Sequence, residues 1–329
     1  MTRPYVYLTR RVDDDIVARL AEHCDIGVWE RDEPVPRAVL EAEAERADGL
    51  YVMVTDCIDA DLMDRAPRLK VVSTMSVGYD HIDVAAATAR GILVTNTPGV
   101  LTETTADLAF ALLLATARRL TEAERFLREG KWRAWSPNLL VGRDVYGATL
   151  GIIGLGRIGE AVARRAKGFA MRILYHNRRR RPEAEAALGA RYVDLDTLLR
   201  ESDFVVLLTP LTPETENLIG WREFSLMKET ACFINVSRGQ TVDEDALVRA
   251  LRERKIWAAG LDVYREEPLP PDHPLLELDN VVLLPHIGSA SVATRRNMAL
   301  LAAEGCLAAL RGERPAHLVN PEAWAHRRR

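Results

Sequence analysis

A glycine-rich turn between two short apolar runs is the feature that most constrains the fold. Residues Thr149–Ile153 are mostly apolar and partly β-branched, which indicates a buried strand. Gly154, Gly156 and Gly159 follow in G-x-G-x-x-G spacing, and the next segment, EAVARRAKGF, has apolar residues at helical intervals. A second apolar run, Met171–Tyr175, comes next. This order predicts the strand, turn, helix and strand of a dinucleotide-binding unit.

Each glycine has a physical reason in such a unit. The first allows a tight turn out of the strand, the second lets a pyrophosphate approach bare backbone, and the third lets the helix pack closely on the sheet. The start of the helix then offers free N–H groups and the positive end of its dipole to the phosphates. A glycine-rich turn in an ordinary α/β domain is the alternative.

The residues after the second strand bear on which dinucleotide binds. An NAD site usually has an Asp or Glu about 20 residues after the glycines, where it accepts bonds from the ribose 2′-hydroxyl. This chain has Asn177 there, followed by Arg178, Arg179, Arg180 and Arg181. Guanidinium groups would hold a 2′-phosphate that a carboxylate would repel. The pattern predicts that NADP(H) is preferred and NAD(H) possible, with a solvated arginine run as the alternative.

Length and composition favour two domains of a globular protein. The chain has 329 residues, more than one typical core accommodates, and a net charge of −4 that gives no sign of nucleic-acid binding. Its start lacks the apolar segment of a signal peptide, and no apolar run is long enough to cross a bilayer. The four cysteines have neither metal nor disulfide spacing. We therefore expect a cytoplasmic protein with no metal site and no membrane partner.

Strand and helix patterns alternate along most of the chain, which predicts an α/β fold with parallel sheets. Five apolar runs precede the glycine turn: PYVYLTR, DIGVWE, DGLYVMV, LKVVSTM and ILVTN. Four more follow its two strands, FVVLLTP, CFINVS, AAGLDV and VVLLP, and bring the second sheet to six strands. The last helix, from about Ser291 to Arg311, is expected to return to the first domain.

A long helix and an aromatic loop separate the two sets of strands. Thr104 with Asp107 resembles a capping box at the start of the helix. The helix is apolar nearly all round, which predicts burial, and a second subunit is one candidate for its cover. The loop that follows, EGKWRAWSPNLLVGRDVYG, is rich in tryptophan and glycine and favours an interface or a lid over a site.

Three polar residues come just after predicted strands of the second domain: Arg238, Glu267 and His286. Ligands of open α/β sheets bind outside the carboxyl ends of the strands, so these side chains should meet beside a nicotinamide. The set suits reduction of a 2-oxo acid. His286 would protonate the carbonyl oxygen, Glu267 would raise the histidine pKa, and Arg238 would bind the carboxylate. A structural role for each residue taken alone is the alternative.

Two other positions have open interpretations. Val77 and Gly78 directly follow a predicted strand, where free N–H groups could bind a carboxylate, or they form a plain connection to a helix. Asp262 ends the run AAGLD. It could accept a bond from the nicotinamide carboxamide, hold Arg238, or cap the edge of the core.

Together these segments resemble the D-2-hydroxyacid dehydrogenase family, specifically its glyoxylate/hydroxypyruvate reductase branch. The matching segments are MSVGYDHID, TETTADLAFALLLATARR, GIIGLGRIG, NVSRGQTVDEDAL, AAGLDVYREEP and LPHIGSAS. The resemblance implies two Rossmann-like, doubly wound domains: a flavodoxin-like substrate domain of residues 1–97 and 288–329, and an inserted NAD(P)-binding domain of residues 98–287. It also implies a homodimer joined through about residues 101–147, and small 2-oxo or 2-hydroxy acids as substrates.

The resemblance also assigns roles to single residues, with Arg238, Glu267 and His286 as the catalytic set. Trp135 looks like the tryptophan that reaches the partner's active site, and Met53 like a wall of the substrate pocket. The other substrate-binding positions are Val77, Gly78, Arg238, His286 and Ser289. The cofactor-binding positions are Thr105, Gly154, Leu155, Gly156, Arg157, Ile158, Gly159, Asn177, Arg178, Arg179, Arg180, Pro210, Thr215, Val236, Ser237, Arg238, Asp262, His286 and Gly288.

Related activities leave two alternatives open. Formate dehydrogenases resemble this chain but pair their histidine with a glutamine, where Glu267 stands here. A D-2-hydroxyacid dehydrogenase with another substrate is the first alternative. The second is a dinucleotide-sensing scaffold without turnover, as the transcriptional corepressors of this fold family are.

Overall fold

The computed structural model describes residues 3–328, which form two compact units. The first consists of residues 3–101 together with 291–328, and the second runs from Thr102 to Ala290. Each unit is built on its own parallel sheet, with helices between successive strands. The predicted α/β class with two Rossmann-like domains is confirmed.

The first unit has a five-stranded parallel sheet in the order β2-β1-β3-β4-β5, which is the flavodoxin-like order. Its strands are β1 (Tyr5–Leu8), β2 (Asp25–Val28), β3 (Gly49–Val52), β4 (Val71–Thr74) and β5 (Leu93–Thr95). Helices α1 (Asp14–Ala21), α2 (Arg37–Ala44), α3 (Ala60–Asp64) and α4 (Val84–Ala89) connect them. All residues of β3 and β4 are buried, as expected for apolar runs covered on both faces.

The second unit has a seven-stranded parallel sheet in the order β12-β11-β10-β9-β6-β7-β8. Its strands are β6 (Thr149–Ile153), β7 (Arg172–His176), β8 (Arg191–Tyr192), β9 (Phe204–Leu207), β10 (Cys232–Asn235), β11 (Ala258–Leu261) and β12 (Val281–Leu283). The six predicted strands are present. The sequence analysis missed β8, because two residues at a sheet edge carry no periodicity. The strand order changes direction between the parallel neighbours β6 and β9: β7 and β8 lie on one side of β6, and β9 to β12 lie on the other. Such sheets bind dinucleotides at this switch point.

Helices cover both faces of the second sheet. They are α5 (Thr102–Ala117), α6 (Leu120–Arg128), α7 (Arg157–Gly168), α8 (Pro182–Leu188), α9 (Leu195–Glu201), α10 (Trp221–Leu226) and α11 (Glu244–Arg252). The predicted capping box on α5 is wrong. The helix begins at Thr102, so Thr104 lies inside its first turn, and the Asp107 carboxylate accepts a hydrogen bond from Arg165 of α7 instead.

The last helix, α12 (Val292–Leu310), packs on β3 and β4 of the first unit. Ser291 caps its start by accepting a hydrogen bond from the Thr294 N–H. Two side chains of the sheet donate to its carbonyl groups: Ser73 Oγ to Ala302 at 2.7 Å and the Tyr51 hydroxyl to Ala299 at 3.1 Å. Within residues 3–328, neither this helix nor any other is long and apolar enough to cross a membrane.

Candidate active site

The glycine turn has the geometry that its spacing predicts. Gly154 leaves β6 with a φ of +100°, and a Cβ there would lie 2.8 Å from the Leu208 carbonyl carbon. A Cβ on Gly159 would lie 2.6 Å from the Gly154 oxygen, so the start of α7 rests directly on the turn. A Cβ on Gly156 would meet nothing within 4 Å, so space for a phosphate remains there. A dinucleotide therefore fits this turn.

Asn177 supports the turn from the end of β7. Its Oδ1 accepts a hydrogen bond from the Leu155 N–H at 2.6 Å, and its Nδ2 donates to the Leu155 oxygen at 3.3 Å. The side-chain amide therefore holds the backbone of the turn in place. Asn177 was predicted to bind the cofactor because it stands where an NAD site usually has an Asp or Glu. Its support of the Leu155 backbone was not predicted.

The four arginines after Asn177 separate into two pairs. Arg180 donates two hydrogen bonds to Glu185, each 2.7 Å long, and Arg181 forms an ion pair of 2.8 Å with Glu160. Arg178 and Arg179 are exposed and form no hydrogen bond or ion pair with any residue of 3–328. Two guanidinium groups are thus available to a ligand, whereas two are held by carboxylates of their own unit.

Glu185 is fixed from two sides. It accepts the bonds from Arg180 and a third, of 2.6 Å, from the Tyr175 hydroxyl. The hydrogen bonds from Arg180 and then from Tyr175 lower the pKa of Glu185 to about 2. The carboxylate is therefore ionised at neutral pH and keeps Arg180 engaged.

Arg238 follows β10, and its backbone is held by neighbouring side chains. Asn235 Nδ2 and Thr241 Oγ1 donate to the Arg238 carbonyl oxygen at 2.9 and 2.6 Å. The Ser237 N–H donates to Asn235 Oδ1 at 3.0 Å. These bonds tighten the chain into a short 3-10 helix, Gly239–Thr241. The guanidinium is half-buried beyond the carboxyl end of the strand, as predicted.

Glu267 and His286 form a close pair at the same edge of the sheet. His286 Nδ1 lies 2.6 Å from Glu267 Oε2, and the other carboxylate oxygen accepts the Tyr264 N–H at 3.0 Å. Burial alone would raise the pKa of Glu267. The hydrogen bond from His286, its charge and the charge of Arg238 outweigh burial and lower that pKa below its ordinary value.

The polarity of this pair fixes the role of each imidazole nitrogen. An ionised carboxylate only accepts hydrogen bonds, so Nδ1 carries the proton that is shared with Glu267. Nε2 takes no part in the bond to Glu267. The positive charge of Arg238 acts on the same carboxylate, so the structure brings together the three residues that the sequence placed after separate strands.

His286 has a left-handed backbone conformation that Asp262 stabilises. Its φ is +52°, a value that non-glycine residues seldom adopt. The N–H groups of Ile287 and Gly288 donate to the two oxygens of Asp262, each at 2.8 Å. Burial raises the pKa of Asp262, and these backbone bonds oppose that rise. Asp262 thus caps the turn that presents His286, and a bond to a nicotinamide carboxamide stays a prediction.

The other cofactor positions in this unit lie near these elements. Thr105 is buried on α5 next to Gly288, where an added Cβ would lie 3.5 Å from Thr105 Cγ2. Thr215 donates to the Pro210 oxygen at 2.7 Å and fixes the loop after β9. Val236 and Ser237 directly precede Arg238, and the predicted substrate-binding residue Ser289 lies three residues after His286.

In the first unit, the turn after β4 uses its carbonyl groups and leaves two N–H groups without a protein acceptor among residues 3–328. The carbonyl groups of Ser76, Val77 and Gly78 accept hydrogen bonds from Thr97 N, Asn96 Nδ2 and Ser76 Oγ, at 2.8, 2.8 and 2.6 Å. The N–H groups of Val77 and Gly78 donate to no acceptor among the residues that the structure describes. These N–H groups could donate to a ligand, and carboxylate binding at this turn stays a prediction.

Met53 follows β3 in a loop that a buried acid shapes. Its N–H donates to Asp56 Oδ2 at 2.7 Å, and Thr9 Oγ1 donates to the same carboxylate. Burial raises the pKa of Asp56. The sequence analysis missed Asp56, although an acidic residue shortly after an apolar strand was the available signal.

The aromatic loop of the second unit is exposed. Trp135 has 80% of its surface accessible, and Trp132 and Tyr146 are also largely exposed. Helix α6 buries none of its residues, and its Leu120 and Leu127 face solvent. Within residues 3–328 the structure has no cluster of His, Cys, Asp and Glu that could hold a metal ion.

Known proteins match this chain along most of its length. The family model described as D-isomer specific 2-hydroxyacid dehydrogenase, NAD binding domain, matches residues 110–288. Glyoxylate reductase of Korarchaeum cryptofilum is 53% identical over 321 residues, which are 97% of both chains. Glyoxylate reductase of Thermococcus onnurineus is 52% identical over 324 residues, again 97% of each chain.

Among solved structures, the NADPH-dependent glyoxylate/hydroxypyruvate reductase of Sinorhizobium meliloti, in complex with NADP and malonate, has a TM-score of 0.86. It is 38% identical, and the match covers 100% of this chain and 99% of that one. A protein of Thermus thermophilus is 49% identical with a TM-score of 0.90, over 96% and 99% of the two chains. The chain therefore belongs to the D-isomer specific 2-hydroxyacid dehydrogenase family, a family of oxidoreductases.

Proposed function

We propose that this protein reduces glyoxylate and hydroxypyruvate with NADPH as its preferred coenzyme. The observation that carries the proposal is the Glu267–His286 pair, held at 2.6 Å at the sheet edge that also bears the glycine turn. The relatives named glyoxylate reductase, and the Sinorhizobium meliloti enzyme, support this substrate class. Another small 2-oxo acid as the physiological substrate is the nearest alternative.

His286 is the proposed proton donor. Its Nδ1 is bonded to Glu267, so the Nε2–H of the imidazolium is the proton that can reach the carbonyl oxygen. Glu267 stabilises the imidazolium through that bond and fixes the plane of the ring. When bound, the coenzyme supplies the hydride.

Arg238 is the proposed anchor for the substrate carboxylate. Its guanidinium can donate two parallel hydrogen bonds to a carboxylate, and its charge can polarise the adjacent carbonyl. We also propose that the N–H groups of Val77 and Gly78 bind a carboxylate. The carbonyl oxygens of these two residues already accept hydrogen bonds, whereas their N–H groups donate to no acceptor within residues 3–328. Met53 and Ser289 complete the proposed substrate contacts.

The preference for NADPH rests on Arg178 and Arg179. They are exposed and unpaired within residues 3–328, whereas Arg180 and Arg181 are engaged by Glu185 and Glu160. Free guanidinium groups can form charge-assisted bonds to a 2′-phosphate without first breaking an ion pair. We therefore assign 2′-phosphate binding to the first two arginines of the run, Arg178 and Arg179, and not to all four.

We further propose a homodimer in the cytoplasm. The segment 101–147 presents Trp132, Trp135, Leu127 and Tyr146 to solvent, and apolar groups of this number on one segment favour contact with a second copy. In that dimer, Trp135 would reach the active site of the partner. The four cysteines are all free, which suits a reducing compartment. Light scattering of the purified protein tests the oligomeric state, and a monomer at micromolar concentration would refute it.

Steady-state kinetics with a matrix of substrates and coenzymes test the function. The purified protein should consume NADPH in the presence of glyoxylate or hydroxypyruvate, and more slowly with NADH. Binding of NADPH without turnover of any small 2-oxo acid would instead favour a dinucleotide-sensing scaffold. Rapid turnover of pyruvate alone would favour another dehydrogenase of this family.

A further inference from the structure

Tyr264 contacts the segments that carry all three proposed catalytic residues. It follows β11, is 5% exposed, and takes no direct part in the chemistry described above. Its hydroxyl, its amide and its peptide group each meet a different one of these segments. The three contacts come from separate parts of the residue, so they can be examined one at a time.

The hydroxyl of Tyr264 holds the segment that leads to His286. It donates to the Leu284 carbonyl oxygen at 2.9 Å, two residues before His286, and Leu284 N donates in turn to the Leu261 oxygen at 2.9 Å. Burial raises the pKa of Tyr264, so the hydroxyl is a donor across the whole neutral range. The end of β12 is thus tied to the end of β11.

The amide of Tyr264 orients Glu267. Its N–H donates to Glu267 Oε1 at 3.0 Å, which leaves Oε2 to face His286. The residue therefore holds both members of the Glu267–His286 pair, one through its side chain and the other through its backbone. A displacement of Tyr264 would change the distance between them.

The peptide group of Tyr264 lies directly against the turn after Arg238. A Cβ added to Gly239 would lie 1.8 Å from the Tyr264 carbonyl carbon and 1.9 Å from its oxygen. Only a residue without a side chain allows this approach. Gln240 Nε2 strengthens the contact by donating to the Arg265 oxygen at 3.0 Å.

We propose that Tyr264 is a positioning residue that sets the mutual placement of Arg238, Glu267 and His286. It acts through the hydroxyl bond to Leu284, its own amide and the contact with Gly239. The expected effect on kcat/KM rests on the proposed function, whereas the expected effect on the hydrogen bond between Glu267 and His286 does not. The hydroxyl is the part that a substitution can remove cleanly.

Tyr264→Phe removes the hydroxyl and keeps the ring. Tyr51→Phe is the matched control, because Tyr51 is fully buried in the first unit and its hydroxyl also donates to a backbone carbonyl, that of Ala299 at 3.1 Å. Both variants lose one buried phenol hydrogen bond and should lower the melting temperature to a similar extent. Circular dichroism and thermal melts establish that both are folded.

Two measurements distinguish positioning from stability. The first is the proton NMR signal of the His286 Nδ1–H in coenzyme-free protein, assigned by its loss in His286→Gln. The second is kcat/KM with saturating NADPH. In Tyr264→Phe, we expect the NMR signal to shift upfield and broaden. We also expect kcat/KM to fall about 3- to 10-fold, as loss of one hydrogen bond allows.

The NMR signal and the kinetics can fail separately. An unchanged Nδ1–H signal in Tyr264→Phe, or an equal change in Tyr51→Phe, would overturn the positioning role whatever the enzyme does. A wild-type protein that turns over no 2-oxo acid would overturn the proposed function. The NMR comparison would still decide the role of Tyr264 in that case.

Discussion

Two glutamates of the second unit each accept a hydrogen bond from a basic side chain, and the proposed function gives them different roles. Glu267 binds His286 and the Tyr264 amide, whereas Glu185 binds Arg180 and the Tyr175 hydroxyl. Both carboxyl groups have a lowered pKa. The partner makes the difference, because an imidazole can release its proton near neutral pH and a guanidinium does not.

The comparison shows how one type of contact can support either chemistry or charge placement. In the proposed function, the Glu267–His286 pair holds a transferable proton near the end of β12. The Glu185–Arg180 pair engages a permanent charge, whereas Arg178 and Arg179 form no ion pair within residues 3–328.

His286→Gln removes the titratable group and should have the largest effect. We expect kcat for glyoxylate reduction to fall about 10²- to 10⁴-fold, the usual contribution of general acid catalysis. The dissociation constant of NADPH should change little, as measured by fluorescence titration. A kcat close to that of the wild type would contradict the assignment of His286 as proton donor.

Replacing Arg178 and Arg179 together by Gln should weaken NADPH binding about 10- to 100-fold, because charge-assisted bonds to the 2′-phosphate are lost. NADH binding should be nearly unchanged. The matched control is Arg180→Gln with Arg181→Gln, which removes the same charge from side chains that Glu185 and Glu160 already hold. Equal losses of NADPH affinity in both double variants, or equal losses of NADPH and NADH affinity, would show that Arg178 and Arg179 do not bind the 2′-phosphate.

Glu267→Gln keeps the shape of the side chain and removes its charge. We expect kcat/KM to fall about 10-fold at neutral pH, as loss of a charge-assisted hydrogen bond allows. The carboxylate accepts the Nδ1 hydrogen bond of His286 at 2.6 Å and fixes the plane of the ring, and the neutral amide would do so less strongly. A kcat/KM equal to that of the wild type would show that Glu267 has no influence on His286.

The lowered pKa of Glu267 also has a consequence on the acid side. A group with a depressed folded pKa contributes stability that is present above its unfolded pKa and is lost as pH falls through the folded value. The Glu267–His286 pair should therefore persist below pH 4.5, the ordinary value of the carboxyl group. Melting temperatures of wild type and Glu267→Gln should converge only below that pH.

Glu185→Gln should have the smallest effect. The folded pKa of Glu185 is about 2 and its ordinary value is 4.5, so its contribution to stability is present above pH 4.5 and disappears as pH falls toward 2. The Arg180 guanidinium is exposed and salt screens the pair, so the difference in melting temperature should be small and should shrink in high salt. A difference that persists below pH 2, or grows with salt, would contradict an ion-pair role for Glu185.

Local signals in the sequence were sufficient for most of the fold. The glycine turn and the apolar runs predicted six strands of the second sheet and five of the first, because each depends on residues adjacent in the chain. The capping box at Thr104 failed because Asp107 has a better partner in Arg165, which lies on another helix. Strand β8 was missed because it is only two residues long.

The amino-acid sequence was enough to predict the order of the elements and the turn at Gly154–Gly159. It was also enough to predict that Arg238, Glu267 and His286 each follow a strand. These follow from backbone geometry and periodicity, which act over a few residues. The tertiary structure alone decided that Glu185 and Glu160 engage Arg180 and Arg181, and that Asp262 and Tyr264 hold the His286 segment. Such choices depend on which distant side chains meet after packing, and no local pattern in the chain encodes those distances.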